Sequence, residues 1–297
     1  MLACPACEAT RFSDRTIVPG LRTHECSSCG LILGVVERSG PAVSEFALVD
    51  QEGYLRSVGA TRRRQATEIL RQLKRHVPPG VRILDVGCSF GFFLERARAA
   101  GFRVEGLEPD RQAYDHARRL LGDGVVRNAV LDQQNARPAS ADAVSTLDVI
   151  EHIAVEDHAS FAEMVRTVLA PDGVWVIKVP SSEGLYYKFS DALVRAYPSL
   201  GASLVRRLWQ TRYEYPHLVY FSLPSLSIWL RRFRFDVIGH RYLPEVPLGT
   251  IVDRLTTDGD IGRAQAYLAA PAVAGVTLID ALRGRSDALV VFARPGR

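Results

Sequence analysis

Four of the five cysteines fall in two Cys-x-x-Cys pairs, with eighteen residues between the pairs. These are Cys4 and Cys7, then Cys26 and Cys29. Two such pairs separated by about 15 to 20 residues are typical of a zinc ion held by four thiolates. Four protein ligands leave no coordination position for water or substrate, so we expect a structural zinc. Between the pairs, residues 10–18 and 21–25 predict a hairpin that turns at Pro19 and Gly20.

A second group of residues combines carboxylates with imidazoles. Asp148, Glu151 and His152 place two acids and an imidazole around one helical turn. Such a group can accept a proton, bind a divalent cation, or only cap and orient the helix, and the sequence leaves these readings open. His217 precedes an apolar run and is either a further candidate base or a structural hydrogen-bonding residue. Glu151, His152 and His217 are therefore the candidate catalytic residues.

A turn containing glycine joins a predicted buried strand to a predicted helix. The strand covers residues 81–87, the turn reads Gly87-Cys-Ser-Phe-Gly91, and the helix covers residues 92–100. This order opens a doubly wound nucleotide-binding sheet. Glu108 ends the next predicted strand, where a carboxylate can accept hydrogen bonds from both hydroxyls of a ribose.

Three interpretations compete at this turn. A dinucleotide site requires Gly-x-Gly-x-x-Gly, but Ser89 stands at the second glycine position and the third glycine is absent. The letters Gly-x-Ser-x-Gly also match a nucleophile elbow, but only the cysteine-rich segment and one helix precede them, without an oxyanion segment. The third interpretation is a site for S-adenosylmethionine, in which the glycines let the backbone approach the methionyl part of the cofactor.

The composition is that of a globular chain, with 297 residues, 47% of them apolar and 24% charged. It excludes a disordered tail, a collagen and a disulfide-dense scaffold. The sequence has no uninterrupted apolar run of about 18 residues and no basic-then-apolar leader, so we predict neither a spanning helix nor a signal peptide and expect a cytoplasmic location. The net charge of +4 permits an anionic substrate without requiring nucleic acid.

The chain is expected to have three parts. Residues 1–40 form the zinc ribbon, residues 41–80 a linker with a helix at about 59–76, and residues 81–297 the main domain. Within that domain, residues 181–216 form an insertion rich in Tyr, Leu and Arg, which we interpret as a lid over the substrate. The apolar helices of the lid are compatible with a lipid-linked or aromatic substrate, a membrane surface or a dimer interface.

Six segments, in this order, resemble the motifs of class I S-adenosylmethionine-dependent methyltransferases of the small-molecule and glycan branch. They are residues 83–94, 104–110, 142–153, 169–180, 217–226 and 286–293. Several motifs in the right order are much more specific than one glycine turn. The resemblance implies an α/β fold, Rossmann-like with a seven-stranded sheet, and S-adenosylmethionine as the cofactor.

The resemblance also implies roles for individual residues. Asp85 would brace the turn and help to hold the amino acid end of the cofactor, and Glu108 would bind its ribose. Asp148 would lie near the sulfonium and the substrate. The cofactor-binding residues expected in this way are Asp85, Gly87, Ser89, Gly91, Glu108 and Asp148. In ubiquinone-biosynthesis O-methyltransferases a similar Glu-x-x-Glu-His cluster binds a divalent cation; here Asp148 replaces the first Glu, so a second metal beside the structural zinc stays open.

The expected activity is transfer of a methyl group to a small-molecule, sugar or glycan, or lipid-linked acceptor, at oxygen. One alternative is a sugar C-methyltransferase. Another is an RNA methyltransferase guided by the zinc ribbon, which we disfavour because those relatives space the second cysteine pair more closely and lack the motifs around His152 and His217. A third is a member of the fold that binds without catalysis. The sequence leaves a homodimer and peripheral membrane contact open.

Overall fold

The computed structural model describes residues 3–37, 51–256 and 262–296. These residues form two compact units, each assembled from separate segments of the chain. The ribbon unit draws on Met1–Thr61, Pro180–Leu226 and Tyr242–Leu289. The sheet unit draws on Arg62–Val179, Ser227–Arg241 and Val290–Arg297. The boundaries predicted at residues 40 and 80 stay a prediction.

The strands of the described residues are numbered in chain order. They are β1 (Phe12–Val18), β2 (Leu21–Cys26), β3 (Ile32–Val36), β4 (Arg82–Val86), β5 (Arg103–Leu107), β6 (Val126–Arg127), β7 (Ala141–Leu147), β8 (Leu169–Pro180), β9 (Val219–Tyr220), β10 (Phe235–Leu243) and β11 (Ala288–Pro295). The α-helices are α1 (Gln51–Leu73), α2 (Phe92–Ala99), α3 (Arg111–Leu121), α4 (His158–Val168), α5 (Leu185–Ala196), α6 (Pro198–Leu208), α7 (Leu223–Arg232), α8 (Ile251–Thr256) and α9 (Arg263–Arg283).

The ribbon unit contains a four-stranded sheet in the order β1-β2-β3-β9. Its first two strands pair antiparallel around the predicted turn, with Val18 opposite Leu21. The predicted hairpin is therefore confirmed. β9 comes from far along the chain, and its Tyr220 pairs with Ile32 of β3. The sheet of the ribbon thus extends beyond the first 40 residues.

Helices of the 181–216 insertion pack on this small sheet. The buried cluster joins side chains from β1, β2, β3 and β9 to side chains from α5, α6 and the residue after α6. Its members are Val18, Leu21, Ile32, Val194, Val205, Trp209 and Tyr220. A Cβ on Gly34 of β3 would lie 2.2 Å from Cζ3 of Trp209, so this indole rests directly on the strand backbone. The expected role of the insertion as a lid stays a proposal.

The sheet unit is built on a seven-stranded sheet in the order β10-β11-β8-β7-β4-β5-β6. β4 pairs in parallel with both β5 and β7, so Asp85 stands opposite Gly106 on one side and Ser145 on the other. Because both faces of such a sheet are covered, its central strands are mostly apolar; β8, for example, buries Trp175 against the rings of Trp229 and Phe235. The predicted Rossmann-like α/β fold is confirmed.

Two helical regions differ in extent from the sequence prediction. α1 begins at Gln51, whereas the sequence predicts a start near Gly59. Gly59 therefore lies inside the helix, a position that glycine disfavours. The predicted helical stretch 251–283 is described as α8 and α9, with residues 257–261 outside the described part. α9 is the one described helix whose length and composition would allow it to cross a membrane.

Candidate functional site

The turn between β4 and α2 contains three residues in the left-handed region, where φ is positive. Gly87 has φ of 71°, Ser89 of 49° and Gly91 of 81°. A Cβ on Gly87 would lie 2.6 Å from a methyl carbon of Val149, and one on Gly91 would lie 2.9 Å from a methyl carbon of Leu121. Side chains are therefore excluded at both glycines. Ser89 has a backbone conformation that costs free energy in any residue other than glycine. Such strain is typical of functional turns.

Glu108 ties this turn to the end of β5. Its Oε2 accepts a hydrogen bond from the backbone N–H of Ser89 at 2.7 Å, and its Oε1 accepts one from Asp110 at 2.8 Å. Burial raises the pKa of Glu108 to about 7, although the two backbone hydrogen bonds oppose this shift. A buried carboxylate thus lies beside the strained turn, as the sequence predicts for a group that binds ribose.

Asp85 lies at the other side of the turn, near the end of β4. It is buried, and its Oδ1 accepts a hydrogen bond of 2.6 Å from the hydroxyl of Ser145 on β7. Burial raises the pKa of Asp85 to about 7; the hydrogen bond from Ser145 opposes the shift and the charge of Glu108 adds to it. Sequence reasoning missed Ser145, which lies two residues before the end of β7 and gives no motif signal of its own.

Asp148 follows β7 and also has a positive φ, of 59°. Both of its carboxylate oxygens accept hydrogen bonds from Nζ of Lys178, at 2.9 and 2.8 Å, and Arg62 of α1 forms a further ion pair with it. Lys178 is only 1% exposed and lies near the carboxyl end of β8, after the apolar run of that strand. Its charge in the run Val-Ile-Lys-Val was a signal that the sequence interpretation did not use.

Glu151 and His152 belong to a short 3-10 turn, Ile150–His152, directly after this strand end. Glu151 is fully buried, and neither of its carboxylate oxygens has a hydrogen-bond partner among the residues that the structure describes. Burial raises the pKa of Glu151 well above its ordinary value, and the charge of Asp148 adds to the shift. His152 is half-buried.

The expected site residues thus divide between the two units. The sheet unit brings together the turn, Asp85, Glu108 and Asp148 at the carboxyl ends of neighbouring parallel strands, with the 3-10 turn beside them. Ligands of doubly wound sheets bind at this edge. His217 belongs to the ribbon unit, where it is buried and its backbone N–H donates to the carbonyl of Trp209 at 3.1 Å.

The four predicted zinc ligands converge in the ribbon unit. The Sγ atoms of Cys4, Cys7, Cys26 and Cys29 all lie within 4.8 Å of one another. The pairs Cys4–Cys29 and Cys7–Cys26 are separated by 3.6 and 3.5 Å. A tetrahedral zinc ion with bonds of about 2.3 Å to sulfur requires sulfurs about 3.8 Å apart, so this donor set suits zinc.

Two equivalent backbone loops present these sulfurs. After Cys7, the N–H of Glu8 donates to the carbonyl of Cys4; after Cys29, the N–H of Gly30 donates to the carbonyl of Cys26, both at 2.9 Å. Glu8 and Gly30 both have positive φ, of 63° and 71°. The cysteine spacing does not by itself predict that Glu8, which is not a glycine, takes the same left-handed conformation as Gly30.

A parallel sheet with a strained turn and a buried carboxylate at its carboxyl edge defines a nucleotide-binding protein of the doubly wound class. Comparison with protein families gives the particular family. A family model for a methyltransferase domain matches residues 58–240, more than half of the chain, and the protein therefore belongs to this family. The expected membership among class I S-adenosylmethionine-dependent methyltransferases is confirmed.

Individual relatives agree with this assignment. Over 103 residues the chain is 31% identical to the ubiquinone biosynthesis O-methyltransferase of Caulobacter sp. (strain K31), a match that covers 33% of this chain and 40% of that protein. The chain spans less than half the length of the curated relatives it matches.

Solved structures share the fold at low sequence identity. The 1,6-didemethyltoxoflavin N1-methyltransferase of Burkholderia thailandensis, solved with S-adenosylhomocysteine, matches 96% of this chain and all of that chain with a TM-score of 0.51 and 14% identity. A cyclopropane synthase of Mycobacterium tuberculosis matches 86% of this chain and 90% of that chain with a TM-score of 0.55 and 16% identity.

The residues at the sheet edge suit the cofactor that this family implies. A side chain at Gly87 or Gly91 would collide with Val149 or Leu121 and displace the turn, and Glu108 offers two acceptor oxygens directly next to this turn. An ionised carboxylate binds the paired hydroxyls of a ribose as an acceptor, and the turn is partly exposed at Gly87 and Ser89, where a ligand can approach the backbone.

Proposed function

We propose that the protein transfers a methyl group from S-adenosylmethionine to an oxygen of a small-molecule, sugar or glycan, or lipid-linked acceptor. The observation that carries this proposal is the buried carboxylate of Glu108, hydrogen-bonded to the strained turn at Ser89. Support for oxygen as the target comes from the ubiquinone biosynthesis O-methyltransferase that the chain resembles.

The sheet unit supplies the residues that hold the cofactor. When bound, S-adenosylmethionine offers a methyl group on a positively charged sulfur, which an acceptor oxygen can take in an in-line displacement. Glu108 accepts the hydrogen bonds of the ribose, Gly87, Ser89 and Gly91 allow the backbone to approach, and Asp85 braces the turn from β4. Asp148, fixed by Lys178, marks the edge near which the acceptor binds.

The acceptor oxygen loses its proton during transfer, which requires a base. We propose His152 for this role, because it lies after β7 next to Asp148 and is partly accessible. Glu151 is a weaker candidate, since its burial favours the protonated carboxyl, which has no capacity to take up a further proton. His217 is the alternative base. Replacing His152 and His217 separately by Ala, and measuring the pH profile of each variant, distinguishes the two.

Zinc at Cys4, Cys7, Cys26 and Cys29 is proposed to be structural, since four thiolates complete a tetrahedral shell. A second divalent cation at Asp148, Glu151 and His152 is left as an open proposal. A cytoplasmic location, a homodimer and an acceptor held under the 181–216 insertion are likewise proposals.

The proposed function is tested by measuring S-adenosylhomocysteine release from the zinc-loaded full chain with three acceptor panels. The panels contain phenolic and lipid-linked hydroxyl compounds, sugar nucleotides, and bulk RNA. Release with either of the first two, and loss of it in the Glu108→Ala variant, supports the proposal. Turnover that requires RNA and falls steeply with added salt would establish the RNA alternative instead. Fragmentation of the product in a mass spectrometer then shows whether an oxygen or a carbon carries the new methyl group.

A further inference from the structure

Among the residues that the structure describes, the long helix α9 contacts the rest of the ribbon unit along one side. Asp280 is buried, and its carboxylate accepts a hydrogen bond of 2.8 Å from the backbone N–H of Leu185 at the start of α5. The carbonyl of Val273 accepts a hydrogen bond of 3.2 Å from the hydroxyl of Tyr186. Of the α9 residues, only Ala266 and Asp280 are buried. One side of the helix is thus fixed to its own unit by polar contacts.

The other side of α9 presents large apolar residues to the outside. We call it the α9 apolar face, and it consists of Tyr267, Leu268, Pro271, Leu278, Ile279 and Leu282. Leu268 and Leu282 are 84% and 88% exposed. At 3.6 residues per turn, these six residues fall within a sector of about 120° around the helix axis. Residues 264–279 carry no formal charge, so the face is continuous along most of the helix.

Arginines stand at both ends of this face. Arg263 begins α9 and Arg283 ends it, and both are exposed; Nη1 of Arg283 also pairs with Oδ1 of the buried Asp280 at 2.8 Å. The helical repeat places each of them about 40° outside the apolar sector, on opposite edges. Tyr267, on one edge of the sector, carries a hydroxyl on an apolar ring. Apolar residues in the middle, with cationic and amphipathic residues at the margins, match the boundary between acyl chains and headgroups of a bilayer.

A second copy of the chain is a poorer occupant of this face. A helix of 21 residues is about 32 Å long, and a strip about 10 Å wide along it covers about 300 Å². A stable protein interface buries about 800 Å² on each partner. The face is therefore too small to hold a dimer by itself, and two copies would bring their arginines together.

We propose that α9 is a lipid-binding element that lies flat on an anionic bilayer surface, with the α9 apolar face inserted at the headgroup boundary. The helix lies on the membrane instead of crossing it, because Asp280 and the contacts to α5 keep its other side against the protein. The positive charge of Arg263, at one edge of the face, complements anionic headgroups. This proposal does not depend on the proposed catalytic function, since it rests on residues of the ribbon unit alone.

Vesicle flotation with the zinc-loaded full chain tests the proposal. The probes are vesicles of phosphatidylcholine alone and of phosphatidylcholine with phosphatidylglycerol. The test variant is Leu268→Asp/Leu282→Asp, and the matched control is Val130→Asp, a substitution at an exposed apolar residue of the sheet unit. We expect wild type and control to float with the anionic vesicles, at least tenfold weaker binding of the test variant, and weaker binding of wild type at high salt.

Zinc content and thermal unfolding of each variant verify that it is folded. Equal flotation of the test variant and the wild type would overturn the proposal, as would failure of the wild type to bind anionic vesicles. A wild-type dimer in light scattering that Leu268→Asp/Leu282→Asp converts to a monomer would assign the face to a second copy and would also overturn it.

Discussion

The cysteine cluster of the ribbon unit and the carboxyl groups at the edge of the sheet unit hold their buried polar atoms in different ways. In the ribbon unit, four cysteine sulfurs converge within 4.8 Å beside a small apolar core around Trp209 and Tyr220. In the sheet unit, single carboxyl groups such as Asp85 and Glu108 are buried among apolar strands and held by one or two hydrogen bonds each. We therefore propose that the ribbon needs a bound metal in order to fold, whereas the larger apolar core of the sheet unit offsets the free energy that burying carboxyl groups costs.

The largest difference between the units is expected on removing zinc. Binding of a structural zinc ion contributes about 10–16 kcal/mol of apparent free energy in small zinc domains, so the Cys4→Ser/Cys7→Ser variant should lose the ion and the order of β1–β3. Hydrogen exchange should become fast in β1–β3 and stay slow in β4, β7 and β8. Cys88→Ser, which lies outside the cluster, should keep its zinc. A double variant with full zinc content would contradict the assignment.

The next largest effect is expected in the sheet unit at the Lys178–Asp148 ion pair. Lys178→Met removes one partner of a pair whose cation is almost fully buried, a change that costs about 3–5 kcal/mol in comparable sites. Denaturant unfolding should show this loss, and adding Asp148→Asn should restore part of it. Arg118→Met breaks an exposed pair with Asp123 and should change stability little. If both substitutions lowered the free energy of unfolding by similar amounts, the buried ion pair would not be worth more than the exposed one.

Packing in the ribbon unit is tested at Gly34. A Cβ there would meet the Trp209 ring at 2.2 Å, so Gly34→Ala should destabilise the ribbon unit by about 1–3 kcal/mol. Gly275 of α9 has open space around the corresponding position, and Gly275→Ala should stabilise the protein by about 0.5–1 kcal/mol. Thermal unfolding of the zinc-loaded variants measures both. A neutral Gly34→Ala would mean that Trp209 does not rest on β3.

The last comparison concerns pH in the sheet unit. The pKa of Asp85 is raised to about 7 in the folded protein, from an ordinary value of 3.8, so the folded state keeps a proton that the unfolded state releases between these values. Stability from this group is therefore present at low pH and is lost as the pH rises to about 7, by at most about 1.4 kcal/mol per pH unit. Asp85→Asn should remove this dependence in urea unfolding between pH 5 and 8. If the free energy of unfolding changed with pH in the same way in the variant and the wild type, the raised pKa of Asp85 would be contradicted.

The parts that the sequence predicted are those that leave a local pattern. The cysteine spacing, the strand and turn at 81–91, and Glu108 at the end of the next strand each depend on residues close together in the chain. The ordered motifs then indicated the remaining strands and the family. These predictions agree with β4, β5, β7 and the arrangement of the four sulfurs.

The parts that it missed depend on contacts between distant residues. Lys178 and Arg62 meet at Asp148 only because β8 lies next to β7 and α1 packs nearby within the sheet unit. The hydroxyl of Ser145 reaches Asp85 through the register of β4 and β7. β9 joins the ribbon sheet across nearly 190 residues of sequence, from Ile32 to Tyr220, and no local periodicity reports such a pairing.

Binding of S-adenosylhomocysteine by the Glu108→Gln variant tests the central claim. This claim is that the carboxylate of Glu108, beside the turn at Ser89, binds the ribose of the cofactor. Glutamine keeps the size of the side chain but replaces one acceptor oxygen by a donor. Calorimetry should show a Kd raised at least tenfold, whereas the control Glu105→Gln, on the exposed side of the same strand, should bind like the wild type. An unchanged Kd in a folded Glu108→Gln variant would contradict the account.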